Sequence, residues 1–425
     1  MTTSISLSLL ADTAAVEADG SLSIGGCSVT ELADTHGTPL FVYDETHLRA
    51  RCREAVAAFG HQNVVYAAKA FLCRAMAKLA YEEGLLLDVS TGGELHVALA
   101  AGVPGDACVM HGNNKSVDEL RAAITAGVRH IVVDSFDEMD RLDALHRDGL
   151  AVPDVLLRIT PGVHAHTHEF IATGQDDSKF GFNLGNGDAM LAVDRARQSA
   201  SMHLVGLHCH IGSNVFAANN FAKAAEIMAN FAVPLDLPEL VLGGGLGVAY
   251  TNGEEAPTIS QWGSVLLDAC SALGVRARVS VEPGRAIVAS GALTLYTVGT
   301  IKTIPGVRTY VAVDGGMSDN PRPVLYGSGY EAFLPRDVRA ERPANARLVG
   351  KHCESGDVLI FDASVPEGIV VGDIIATPVT GAYGHSMGSN YNKVPRPPVV
   401  FVANGVARLV VRRETYGDLL ACDLG

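Results

Sequence analysis

The 425 residues contain no long apolar run, which excludes a membrane-spanning helix of the usual ~20 residues. Nor does a basic stretch precede the short apolar segment in MTTSISLSLLADTAAVEADG, which argues against an export signal. Positive charge is scarce: 32 Lys and Arg stand against 47 Asp and Glu, a formal charge of -15. The cationic surface that a phosphate backbone requires is missing, so no nucleic-acid partner is expected, and solubility alone accounts for the acidity. The eight cysteines, at 27, 52, 73, 108, 209, 270, 353 and 422, form no CxxC pair and no zinc spacing. They read as reduced thiols of a cytoplasmic protein, with neither a disulfide frame nor a metal ribbon. Low-complexity tracts, long charge runs and repeats of fixed motif are lacking as well. What is present is 48% hydrophobic content in a length that suggests two or three domains.

Between residues 60 and 285, eight short aliphatic or β-branched runs recur: VVYAAK (64 to 69), LLLDVS (85 to 90), CVMHG (108 to 112), HIVVDS (130 to 135), DVLLRIT (154 to 160), LVGLHCHIG (204 to 212), LVLGGG (240 to 245) and RVSVEPG (278 to 284). Most intervals hold a helix-like stretch such as GGELHVALAAG or SVDELRAAITAG, opened by small or polar residues and closed by glycine. Alternating strands and helices predict a parallel sheet, and eight units of this length favour an α/β fold of the closed (β/α)8 TIM-barrel type over an open Rossmann sheet. After residue 290 come strand-like pieces with turns: LTLYTVGTIK, RTYVAVDGG, DVLIFDA, GDIIAT and PPVVFVANGVARLVVRRE, in which Asn404-Gly405 is a hairpin signal. The expected division is a barrel over 38–289 and a second, mainly β domain made of 1–37 and 290–425, the N-terminal piece joining through the partly extended SLSIGGCSVTEL.

In such a barrel, active sites lie at the C-terminal ends of the strands. Those ends carry Lys69, Asp88, His111, Asp134, Arg158, His208 with His210, Gly243 to Gly245, and Glu282 with Arg285. A lysine closing an apolar strand is either snorkelling to solvent or held for covalent chemistry with carbonyl compounds, and its place in the barrel favours the second. Strand seven ends in GGGLG; Val248 breaks the dinucleotide GxGxxG pattern, but bare backbone there can offer N–H groups to a phosphate. Strand eight ends in EPGR, where Gly284 again exposes backbone and Arg285 supplies a fork for an oxyanion. A reactive lysine, a phosphate cradle and an acid aimed into the barrel together describe pyridoxal 5'-phosphate, with Glu282 at the pyridine nitrogen and His210 stacked on the ring.

Rival readings exist. HCH (208 to 210) and HAHTH (164 to 168) look like paired metal ligands, but metal-dependent barrel hydrolases would carry HxH on strand one. Either cluster could be plainly structural. A class I aldolase shares lysine and barrel yet gives no role to Glu282 or the second domain.

Taken together and in order, YAAKAF, LDVSTGGEL, HGNNKS, HTHEFIATGQDDSKFGF, HCHIGS, GGGLG, EPGR, VDGGMSDNPRPVLY, CESGD and GAYGHSMGSNYN resemble the fold-type III pyridoxal-phosphate-dependent decarboxylases, and among them the diaminopimelate decarboxylase family, from about residue 36 to 420. The resemblance implies Lys69 as the cofactor-bearing lysine with Asp88 close beneath it, and His210 against the ring. Ser213, Gly243, Gly244, Gly245 and the EPGR backbone with Gly284 and Arg285 would approach the phosphate. Glu282 would meet the ring nitrogen, and Tyr383 both cofactor and substrate. Arg285, Arg322 and Tyr326 would grip a distal carboxylate. Because the family builds its sites across a head-to-tail homodimer, Cys353 as proton donor and Glu354 as a contact to the distal amino group would come from the partner chain. On its own, Cys353 would read as an inert thiol, Arg322 as a surface charge, Tyr383 as a core aromatic and HTHEFIATGQDDSKFGF as an ordinary loop.

The implied activity is decarboxylation of meso-2,6-diaminopimelate to L-lysine and carbon dioxide, a step of lysine biosynthesis. Its alternatives are decarboxylation of another basic or diacid amino acid, and a non-catalytic cofactor-binding homologue. Racemisation, the chemistry of alanine racemase on the same two-domain frame, would call for an arginine at the ring nitrogen where this chain has Glu282. A distal carboxylate calls for a cation, and Arg322 answers it; ornithine or lysine decarboxylases present an acid to a distal amine instead.

Overall fold

The computed structural model describes residues 4–162, 177–216 and 218–425. HAHTH and most of HTHEFIATGQDDSKFGF lie outside the described residues. The chain divides into two compact units: residues 51–247 with 256–286, and residues 1–50 with 248–255 and 287–425.

The first unit is the barrel. Its strands are Val65–Ala67, Leu86–Val89, Cys108–Met110, His130–Val133, Asp154–Thr160, His203–His208, Glu239–Val241 and Arg278–Ser280, each parallel to the next in chain order. A parallel bridge between Val64 and Val281 closes the ring; Val65 N–H donates to the Val281 carbonyl at 2.8 Å and Ala67 N–H to that of Pro283 at 3.2 Å. Continuous burial of Val65–Ala67, Leu86–Val89 and His130–Val133 is what parallel strands covered on both faces require, and it explains their unalternating apolar sequence.

Helix starts follow the small polar residues. Thr91, Ser116 and Ser135 each accept the N–H of a glutamate three residues on, and Ser116 with Glu119 completes a reciprocal capping box. Gly127 ends the helix Val117–Ala126 in the left-handed conformation.

The second unit is mainly β. Its larger sheet runs in the order 358–365, 344–349, 308–313, 292–304, 40–44, 399–403, 406–411, and 374–378 also pairs with the 13-residue strand Ala292–Ile304. Asn404 and Gly405, both at positive φ, turn the hairpin between Val399–Ala403 and Val406–Val411. A small sheet of Ala15–Val16, Leu22–Ile24 and Cys27–Ser28 covers the stretch read as extended.

The units differ from the expected boundaries in three places, the smallest being 287–289, which fall in the β unit. Leu40–Asp44 is a strand of the β sheet, antiparallel to Ala292–Ile304 and parallel to Val399–Ala403, and it carries 38–50 with it. Residues 248–255 also leave the barrel unit, because Asn252 is tied to Ser4 and Glu331, and the Tyr250 ring meets that of Tyr330 edge-on at 5.3 Å. Among the described residues, no helix is long and apolar enough to cross a membrane.

One barrel lysine is wholly structural. Lys115 of HGNNKS is 1% exposed, and its ammonium reaches the carbonyls of Gly112 (2.6 Å) and Val132 (2.7 Å) and Oε1 of Glu138 (2.9 Å). Burial raises the Glu138 carboxyl and Lys115 pulls it back only in part. Removing one member of a buried pair strands the other charge, so Lys115→Met is expected to cost about 3–5 kcal/mol, read as a lower urea midpoint. Adding Glu138→Leu should return most of that loss; a double variant as unstable as the single would refute the pairing.

Candidate active site

Lys69 stands just past the first barrel strand, in a single 3-10 turn, Ala68–Ala70. The register places Ala67 opposite Asp88 on the second strand, so the lysine side chain overhangs that carboxylate: Nζ lies 3.5 Å from Oδ2. Asp88 is buried while the lysine side chain is 46% exposed, an amine held by an anion yet reachable from outside.

Across the seam that closes the barrel lies Glu282, buried just beyond the eighth strand. Nε2 of His208 is 2.9 Å from Oε2, and Nε2 of His111 is 3.0 Å from Oε1. His111 is also 3.8 Å from Asp88, and its ring meets that of His208 edge-on at 5.1 Å. Burial alone would raise the Glu282 carboxyl, but His208 and His111 outweigh it and hold the acid well below the ordinary carboxylate range. For His111, burial opposes protonation while Asp88 and Glu282 favour it, and the anions win. His208 goes the other way: burial lowers it and outweighs the pull of Glu282. The cluster is therefore a buried carboxylate whose ionised form the two histidines favour, His111 binding a proton more readily than an ordinary histidine and His208 less readily. His111, His208 and Glu282 offer ligand-type atoms within 4.8 Å of one another; His208 is hydrogen-bonded to Glu282, and His111 pairs with it by charge.

The two histidines of HCH have separate duties. His208 serves Glu282, whereas Nδ1 of His210 accepts the Gly244 N–H at 3.2 Å. Burial, assisted by Lys69, pushes His210 well below the usual histidine range, so it presents a neutral ring with its proton on Nε2.

The glycine turn after strand seven is required by packing. A Cβ on Gly243, Gly244 or Gly245 would meet the carbonyl oxygens of Cys209, Glu282 and Gly212 at 2.4, 2.1 and 2.2 Å. Glu282 N–H also donates to the Gly243 carbonyl at 2.7 Å, so the turn lies directly against the loops after strands six and eight. Gly284 is pressed in the same way, its Cβ position 2.9 Å from that of Ala67. Arg285 is buried and donates through Nη2 to Ser213 Oγ at 2.8 Å, bringing the guanidinium and hydroxyl expected at a phosphate together.

The remaining candidates belong to the β unit. Arg322 is buried, its guanidinium 4.2 Å above the Tyr250 ring and hydrogen-bonded to the Tyr330 hydroxyl. Tyr326 ends the short helix that Arg322 begins, and is half-buried. Tyr383 is held at a φ of +61°, an uncommon conformation for an aromatic residue. Cys353 and Glu354 are exposed on the loop between strands Ala344–Val349 and Val358–Val365.

This donor set fits pyridoxal 5'-phosphate: an accessible amine for the aldehyde, an ionised buried carboxylate for the ring nitrogen, and a glycine turn with a guanidinium for the phosphate. Residues 45–289 match the family described as pyridoxal-dependent decarboxylase, pyridoxal binding domain. A diaminopimelate decarboxylase of Mycobacterium tuberculosis is 49% identical over 425 residues, covering 95% of each chain. This chain belongs to the diaminopimelate decarboxylase family. The Bacillus subtilis diaminopimelate decarboxylase is 47% identical over 420 residues, with 95% of each chain covered. The solved diaminopimelate decarboxylase of M. jannaschii superposes with a TM-score of 0.90 at 32% identity, over 97% of this chain and 98% of that one; a second structure of it holds L-lysine. The cofactor of the diaminopimelate decarboxylase family is thus the one the barrel mouth is built for.

Sequence reasoning placed His111 and His208 at strand ends without giving them a task, and it passed over Tyr250 and Tyr330 as the walls around Arg322. HGNNKS and HCH carried a usable signal for the first pair, two histidines at strand ends facing an acid. Tyr250 and Tyr330 lie 80 residues apart with no shared motif.

Proposed function

We propose that the chain decarboxylates meso-2,6-diaminopimelate to L-lysine and carbon dioxide, as a cytoplasmic enzyme of lysine biosynthesis. The observation that carries this reading is Glu282, an ionised, buried acid fixed by His111 and His208 across from the Lys69 amine. An anion at that place would keep a proton on the ring nitrogen of the bound cofactor, which suits loss of a carboxylate, whereas an arginine would favour racemisation.

The bound cofactor supplies an electron sink for the pair left at Cα when carbon dioxide departs. The chain does the rest. Lys69 would provide the amine for the aldehyde, and Asp88 keeps that amine in place. His210, anchored by Gly244 N–H, would lie beside the ring. Ser213, the turn of Gly243 to Gly245, Gly284 and Arg285 would hold the phosphate. Arg322 and Tyr326, with Arg285, take the distal carboxylate; a buried guanidinium between two tyrosines is the kind of group that recognises a carboxylate and repels a terminal ammonium. Tyr383 would contact cofactor and substrate. The sites are completed by a homodimer, in which Cys353 of the partner subunit protonates Cα and Glu354 of the partner subunit meets the distal amino group.

Product release tests the reading. The cofactor-loaded protein should form L-lysine and carbon dioxide from meso-diaminopimelate while leaving L-ornithine and L-lysine untouched. Turnover of the diamines alone would keep cofactor and fold and remove the role given to Arg322. Arg322→Met should lower kcat/KM for diaminopimelate about 10²-fold, mostly through KM, because a charge-assisted partner of the substrate is lost.

A further inference from the structure

CESGD and GSNYN are both prominent in the sequence, and the proposed chemistry uses only Cys353 and Glu354 of the first and nothing of the second. The structure joins them. Oδ1 of Asn392 accepts the Cys353 N–H at 3.1 Å and lies 3.3 Å from Nδ1 of His352. We infer that Asn392 is the positioning residue for the Cys353 thiol, fixing the tip of its loop so that the proton is delivered to Cα along one direction. The inference rests on Cys353 as proton donor.

The base of this loop is already rigid. His352 is buried, its Nε2 2.8 Å from Ser318 Oγ and its ring 5.4 Å from that of Tyr391. Its N–H donates to Oδ2 of Asp357 at 2.8 Å, while Oδ1 of Asp357 accepts the Met317 N–H at 2.7 Å. One residue further out the thiol is exposed, and a loop tip in solvent moves unless its backbone is tied. Asn392 supplies that tie from another segment of the β unit. It sits at φ +49°, ψ +25°, a left-handed conformation that asparagine tolerates better than other side-chain-bearing residues. The bent backbone and the side-chain carbonyl that meets the cysteine loop belong to the same residue. A proton donor misplaced by about 1 Å can cost up to 10²-fold in rate, which is the scale on which such a tie matters.

Two substitutions separate backbone from side chain. Asn392→Gly keeps the left-handed bend and removes the carbonyl; Asn392→Asp keeps both the bend and an acceptor oxygen. In the cofactor-loaded full chain, Asn392→Gly is expected to lower kcat about tenfold with KM within about twofold, and to enlarge the solvent deuterium isotope effect on kcat as protonation becomes more limiting. Asn392→Asp should recover most of the rate and the smaller isotope effect. A purely structural role would lower the melting temperature while leaving the isotope effect where it was, and that result, or wild-type kcat in Asn392→Gly, overturns the inference. Cys353→Ala serves as the reference. Slowed turnover there with a silent Asn392→Gly sinks the positioning role alone; unchanged turnover in Cys353→Ala removes the proton-donor reading itself.

Discussion

Lys69→Ala is expected to lower kcat by more than about 10³-fold, the largest effect of any single substitution in the chain. Lys115, the buried lysine among the described residues of the barrel unit, cannot stand in for the amine, because its ammonium is spent on two carbonyls and Glu138. Lys69→Arg should be equally inactive: a guanidinium keeps the charge opposite Asp88 but does not lose its proton to become a nucleophile. Single-turnover release of carbon dioxide is the measurement, with cofactor content determined on the same samples. Activity within tenfold of wild type in either variant would remove Lys69 from the chemistry.

Glu282→Gln should reduce kcat by about 10²–10³-fold, the usual scale for deleting one preorganised electrostatic partner. The amide keeps the shape of the site and its contacts to His111 and His208, so the loss measures charge. His111 would then lose one of the two acids that hold it above its ordinary range, keeping Asp88, and would protonate less readily. In the wild type, burial opposes ionisation of Glu282 but His208 and His111 keep its pKa well below the usual carboxylate value, so it stays charged through neutral and mildly acidic pH. A loss of kcat/KM between pH 7 and 5 therefore belongs to other groups. A Glu282→Gln enzyme within fivefold of wild type would sink the assignment of the ring-nitrogen partner.

How far the sequence reaches can be seen residue by residue. The eight barrel strands were legible because a strand covered on both faces must be apolar without alternation, as VVYAAK and HIVVDS are. Lys69, Asp88 and Glu282 could be placed from the rule that barrel sites gather at strand ends. The strand Ala344–Val349 carries no such signal: it is half-buried, holds Arg347 and Asn345, and takes its order from a parallel partner at Arg308–Val313 that no local turn announces. The assignment of 38–50 to the barrel failed for a similar reason, since Leu40–Asp44 looks like any buried strand until its partners, some 250 and 360 residues away, are known. Asn392 was invisible because its importance lies in a left-handed backbone and a contact to a loop 39 residues back.

The closure of the barrel sets the order in which this enzyme can come into being. Lys69 follows the first strand and Glu282 the last, and the two are brought to the same mouth only by the Val64–Val281 seam. That contact spans about half the chain, so its loop-closure entropy is among the largest the polypeptide must overcome. A ring missing that last pairing has lysine and acid but no site, and on the growing chain Lys69 must wait for more than 200 further residues before it has its counterpart. A ligand that holds both sides of the seam binds the closed barrel and not the open one, so occupancy by the cofactor shifts the balance toward the finished ring.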